Sequence, residues 1–288
     1  MKNSSVQFLG MVLSLASVVS FSQAAQAANF DRDRSTEIDW LRHDDSHNDS
    51  IAGNDVGGTR YELYSTAVQV VDNFLVFGVR SNFTIDGTDS QYAHDRFIKF
   101  SDIILNCVDN LSNQVAQYGI NFDAGNESAV PTTGIYETPT LTSRATANGN
   151  DTDNFGDYNN YVRENGGDPI VGTLDNSYFD ANTHVANLMT GGNWIGEAFT
   201  LSSEQQANLG LDDVFAGLGG TTTAIAADIS KLQETGALCS FYLGQECNND
   251  LTGGGDIEVE KVPEPAAVLA ITVLGLALPV TKRWKSAS

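Results

Sequence analysis

The sequence predicts a mostly β protein: a single-domain β-sandwich or jelly roll with one short helix and long polar loops. Three observations carry that prediction. Apolar and β-branched residues alternate with period two through most of the body, turn residues interrupt them at short intervals, and crossovers of helical length are missing. Antiparallel strands can be joined by tight turns, so such a chain builds sheets that pack face to face.

Residues 1–27 read as a secretory signal peptide, with Lys2 near the start, an apolar stretch from Val6 to Phe21 and a small-x-small cleavage site at Ala25-Gln26-Ala27. Residues 28–58 form an acidic polar segment holding Asp31, Asp33, Asp39, Asp44, Asp45, Asp49 and Asp55, and are expected to be loop-like. Within it His43 and His47 stand at helical i, i+4 spacing among carboxylates, a spacing that suits a transition metal. They lack a His-Glu-x-x-His frame and a third ligand, so a solvated acidic loop is the simpler reading.

The β-rich domain is expected over residues 59–250. Arg60 to Val71 and Phe74 to Val79, joined by Asp72-Asn73, read as a hairpin; Asp86-Gly87 is a second turn. Phe97 to Leu105 and Gln114 to Phe122 continue the strand set, and residues 123–168 form a long polar insertion with strandlike Gly134-Ile135-Tyr136 as an island. The densest oxygen donors of that insertion are Asp151, Asp153 and Asp157, the calcium candidates of this chain, since calcium takes six to eight oxygens, although an unliganded Asx-turn loop is the simpler reading. An EF-hand frame fails there, because Phe155 and Val162 fall where ligands are needed. Strands resume at Ile170 to Leu174, near Val185 to Met189, and at Trp194 to Thr200. The one helix expected is Ser202 to Gly210, with a capping serine, Gln205 three residues on and a terminating glycine. Thr221 to Ile229 and Ala237 to Leu243 complete the strands, and residues 251–261, in which Gly253-Gly254-Gly255 is followed by Asp256 to Lys261, read as a flexible acidic spacer.

Residues 262–288 have a different texture. Pro263-Glu264-Pro265 precedes an apolar helix over residues 266–280, followed by Lys282, Arg283 and Lys285. Fifteen helical residues rise about 22 Å, short of the roughly 30 Å of a bilayer's hydrocarbon core, so the span suits transient tethering better than permanent anchoring. The basic end places the C-terminus on the cytoplasmic side.

Fifteen Lys and Arg against 37 Asp and Glu give a formal charge of −22. Such a field repels phosphate backbones, so no nucleic acid partner is expected, and it attracts divalent cations. Cysteine usage suits an oxidising compartment: Cys239 and Cys247 stand close enough to close a small loop, leaving Cys107 in what reads as the end of a buried strand. No nucleophile elbow, phosphate loop, dinucleotide glycine pattern or zinc Cys-x-x-Cys is present, so no catalytic residue is assigned and a non-enzymatic role is expected. The alternative is a carbohydrate-binding or carbohydrate-active protein, with Trp40, Trp194 and the tyrosines able to stack on sugar rings, although core packing is the commoner role of Trp194.

The C-terminal combination of Pro263, Glu264 and Pro265, a short apolar helix and a basic end resembles the PEP-CTERM sorting signal of bacterial proteins handled by exosortase, a membrane-embedded cysteine protease-like enzyme. The resemblance implies export, transient inner-membrane tethering and processing near the motif. Signal peptidase and exosortase would be partners in transit, with extracellular polysaccharide a candidate partner outside. The body is similar to the extracellular part of exosortase-dependent surface proteins of cyanobacteria at Asp102-Ile103-Ile104-Leu105-Asn106, Tyr118-Gly119-Ile120, Tyr158-Asn159-Asn160-Tyr161 before Gly166-Gly167, and Thr235-Gly236 leading to Glu246-Cys247-Asn248-Asn249-Asp250. That family is defined by its sorting tail and carries no assigned activity. It therefore implies a secreted or cell-surface location and not a mechanism.

Overall fold

A computed structural model describes residues 30–150, 154–169, 182 and 185–262. Its strands in chain order are β1 (Leu41–Asp44), β2 (Ile51–Ala52), β3 (Asp55–Val56), β4 (Leu63–Val71) and β5 (Phe74–Ser81), then β6 (Thr88–Asp89), β7 (Phe97–Ile98), β8 (Ile103–Asp109), β9 (Val115–Asn121) and β10 (Gly134–Thr142). After these come β11 (Leu188–Gly196), β12 (Ala198–Thr200), β13 (Thr221–Asp228), β14 (Ala237–Gly244) and β15 (Leu251–Val259). Two antiparallel sheets dominate, one ordered β1-β4-β5-β13-β12 and the other β11-β10-β9-β8-β14-β15.

The sandwich expected from the alternating pattern is what forms. Leu63, Leu75 and Phe77 of the five-stranded sheet meet Ile103, Leu105, Phe241 and Ile257 of the six-stranded sheet in one buried cluster. The opposite face of the five-stranded sheet is covered as well. Phe30, Leu211 and Phe215 lie there on Ala67, Phe74, Val76 and Ala224. β5 is therefore buried on both faces, and its sequence is nearly continuously apolar instead of alternating. Close approach is needed at Gly78, where a Cβ would come within 2.6 Å of Leu211 Cδ2.

Helix α1 (Phe155–Glu164) packs on the outer face of the six-stranded sheet, burying Phe155, Tyr158 and Val162 against Ile104 and Tyr242. This helix inside the polar insertion is an addition to the single helix expected. Helix α2 (Ser203–Asn208) has the expected capping box between Ser202 and Gln205, and the chain ends it with Gly210 at φ 73°. The expected hairpin at Asp72-Asn73 forms, with Val71 opposite Phe74 and Asp72 at φ 57°. The expected strand from Phe97 to Leu105 is broken. Asp102 turns inward and accepts hydrogen bonds from Asn121 Nδ2 (2.9 Å), Asn126 Nδ2 (3.1 Å), the Met189 amide (2.7 Å) and the Ser128 hydroxyl. Burial pushes its carboxyl above the usual range even so.

Three expectations need correcting. The 28–58 segment contributes strand β1, which pairs with β4, and the small β2–β3 ladder. The 251–261 spacer is largely β15, an edge strand paired with β14, so the folded body runs past residue 250. Cys239 pairs with Cys107, not Cys247. Cys107 and Cys239 face each other directly across β8 and β14 with a Cα separation of 4.0 Å, while the residues after Cys239 run extended along β14 before the turn that holds Cys247. Those strand residues carry the chain roughly 17 Å away, beyond the reach of a disulfide. Cys247 is a buried free thiol, pushed up to about 12 chiefly by burial.

Ile170 to Leu174, Pro263, Glu264, Pro265, Lys282, Arg283, Lys285 and the apolar run 266–280 lie outside the described residues. Among the described residues no helix is long and apolar enough to cross a membrane.

Candidate metal centre

The structure converges on one group of buried acids. Asp49, Glu62 and Asp250 are each 0% exposed, and one carboxylate oxygen from each lies within 4.8 Å of the others. Three parts of the fold supply them: Asp49 comes from the acidic N-terminal segment, Glu62 from the residue before β4, and Asp250 from the residue before β15. Backbone bonds hold these positions, with the Ile51 amide donating to the Asn249 carbonyl at 2.7 Å and the Asn82 amide to the Glu62 carbonyl at 2.8 Å.

The carboxylates are unequally satisfied. Asp250 accepts from the Leu63 amide at 2.7 Å and the Leu251 amide at 2.8 Å. Glu62 Oε2 accepts from the Ser50 hydroxyl at 2.6 Å and from the Gly58 amide, whereas Oε1 of the same group is enclosed and receives no hydrogen bond. Asp45 joins the group electrostatically, and Tyr158 of α1 closes it by donating its hydroxyl to the Asp49 carbonyl at 2.8 Å. Burial, helped by repulsion from Glu62, pushes Asp45 well above the usual carboxylate range; burial and the charges of Asp49, Asp45 and Glu62 do the same to Asp250. The Tyr158 phenol is likewise pushed well above 10, first by burial and then by Asp49. None of the ion pairs among the described residues involves Asp45, Glu62 or Asp250. Several carboxylates concentrated in a dry interior are unfavourable unless protons or a cation neutralise them.

The residues singled out in sequence are placed differently. Asp157 sits in the first turn of α1, where its exposed carboxylate accepts from Asn154 Nδ2 at 2.8 Å; it is not part of the buried group, and Asp151 and Asp153 lie outside the described residues. His43 packs edge-on against Phe241, ring centroids 5.7 Å apart, with burial holding its imidazole below the usual range, while His47 meets Tyr64 at 5.2 Å. His43 is a packing group, while His47 is exposed beside Tyr64. Of their acidic neighbours, Asp49 enters the site and Asp45 is coupled to it by charge. Trp194, expected in the core, is 48% exposed on β11, its Nε1 donating to the Thr133 carbonyl at 3.3 Å.

Helix α1 had a signal that the polar composition hid. Asn154 and Asp157 form a helix start, and Phe155, Tyr158 and Val162 fall on one helical face. Glu62 and Asp250 had no local signal, because a lone acid next to a strand is common.

No protein-family model, curated protein or solved structure matches this chain.

A second buried acid gives a pH test. Glu246, 1% exposed, accepts from the Lys99 amide at 2.8 Å and from the Glu127 amide at 2.5 Å. Burial dominates over these bonds and pushes it up to about 7. A carboxyl raised in the folded state stabilises the fold fully below its unfolded value of 4.5, and that contribution is lost as pH rises through about 7. The loss amounts to roughly 3 kcal/mol at 1.36 kcal/mol per unit. Glu246→Gln is expected to flatten the decline in urea stability between pH 4.5 and 7 relative to the wild type; parallel curves would contradict the assignment.

Proposed function

We propose that this chain is an exported, acidic, non-enzymatic surface or extracellular-matrix protein, released through an exosortase-type C-terminal signal. The observation that carries the reading is the ordered combination of Pro263-Glu264-Pro265, the 266–280 apolar run and Lys282, Arg283 and Lys285, opposite a signal peptide at residues 1–27. The Cys107–Cys239 cystine supports export, because structural bridges persist mainly in oxidising compartments. The acid-rich surface supports solubility outside the cell.

Mass spectrometry of protein recovered outside the producing cell tests this. A mature N-terminus after Ala27 and no peptide containing Trp284 are expected. Exported protein that retains Trp284 overturns processing at the tail.

Polysaccharide binding is the second reading, favoured by the half-exposed indole of Trp194. A glycan array separates the two: binding that disappears in Trp194→Ala supports a lectin role, and a silent array supports the first reading.

A further inference from the structure

We infer that Asp49, Glu62 and Asp250, with Asp45 beside them, form a calcium site that pins the N-terminal segment and the two sheets together. The inference rests on the buried acids and is independent of the sorting signal. Every group of the triad is a hard oxygen donor, the preference of calcium and magnesium and not of zinc or copper, and His43 faces Phe241.

The decisive atom is Glu62 Oε1. Glu62 is 0% exposed; its Oε2 is held by Ser50 and Gly58, yet Oε1 receives no donor. A carboxylate held at one oxygen and offering the other among further carboxylates is arranged to bind a cation.

Dryness chooses the ion. Oxygens bound to calcium at 2.3–2.6 Å span at most roughly 5 Å across the ion, so donors that all lie within 4.8 Å of one another can share one calcium, and it is the dryness of the site that separates the two ions. Magnesium usually keeps several waters, for which a triad buried to 0% exposure is poorly suited.

The location gives the ion its role. Glu62 immediately precedes β4 of the five-stranded sheet and Asp250 immediately precedes β15 of the six-stranded sheet, and the Leu63 amide already donates to Asp250 Oδ2 across the gap. Asp45 and Asp49 belong to the segment that supplies β1 and leads into β2. One ion there ties all three, and α1 lies over it through Tyr158.

The test uses the full chain, stripped with EDTA and dialysed, then melted without metal, with magnesium chloride or with calcium chloride. With calcium at about 100 times its Kd, the Tm is expected to rise by about 5–10 °C. Magnesium is expected to do far less, and Glu62→Gln is expected to abolish the rise. No calcium-specific rise in the wild type means the acids are neutralised by protons, which overturns the inference. An undiminished rise in a folded Glu62→Gln variant overturns it as well.

Terbium luminescence excited through tyrosine supplies a reading that does not depend on that variant. One calcium-displaceable terbium per wild-type chain is expected, with emission reduced several-fold in Tyr158→Phe, which keeps the ring but not the sensitising phenol. Undiminished emission places the ion elsewhere and overturns the assignment.

Discussion

Removing the Cys107–Cys239 bridge is expected to destabilise the protein by about 5 kcal/mol. The bridged residues are 132 apart in sequence, and closing a loop of that length in the unfolded chain removes entropy worth about that much. The bridge also joins β8 to β14, central neighbours in the six-stranded sheet, so it holds together strands that the chain reaches far apart in sequence. Urea unfolding of the Cys107→Ala/Cys239→Ala variant measures it without leaving a lone partner thiol. With a slope of about 2–3 kcal/mol per molar, the midpoint should fall by about 2 M. A fall below about 0.5 M, or a peptide map linking Cys239 to Cys247 in the wild type, would show that the pairing is different.

Phe241→Ala is expected to cost about 4 kcal/mol, within the range for truncating a fully buried phenylalanine. Phe241 is 0% exposed and projects from β14 into the space between the sheets, where its ring lies 5.1 Å from that of Phe77 and 5.7 Å from that of His43. The cavity left by truncation would adjoin strands of both sheets, which cannot both close upon it without losing register. For a domain of this size the Tm should drop by about 10 °C. Val115→Ala is the control. Val115 is 75% exposed on β9, and its truncation should change stability by less than about 0.5 kcal/mol. Equal effects from the two variants would mean that the sheets do not pack through Phe241.

Local physics made much of the fold readable. β4 and β5 are two apolar, β-branched runs separated by Asp72-Asn73, and a two-residue turn with a residue tolerant of φ 57° sets their register. The Ser202–Gln205 capping box marks α2 because the residues that satisfy its first amides adjoin them in sequence. Glycine was misread where its purpose is tertiary. Gly253-Gly254-Gly255 has the composition of a linker, yet a Cβ at Gly254 would sit 2.3 Å from the His43 ring. The glycine lets β15 approach β1 closely, and nothing within the triplet announces that.

The candidate site was legible only as a region. The stretch from His43 to Asp49 drew attention for its imidazoles, but packing against Phe241 and Tyr64 takes those rings while Asp49 turns inward. Glu62 and Asp250 could not be found, since a buried carboxylate and a solvated one have the same sequence signature.

The amino-acid sequence by itself determined the antiparallel β class, the principal hairpin, the capped helix and the acidic character, because each depends on residues close together in the chain or on composition. The tertiary structure decided which cysteines meet, that the glycine-rich segment is a strand, and that acids from three elements share one dry space. Those outcomes depend on pairs such as Leu63 and Asp250, 187 residues apart, whose approach is set by how the two sheets stack. Stacking is driven by apolar burial summed over both sheets, a non-directional quantity that no local motif encodes.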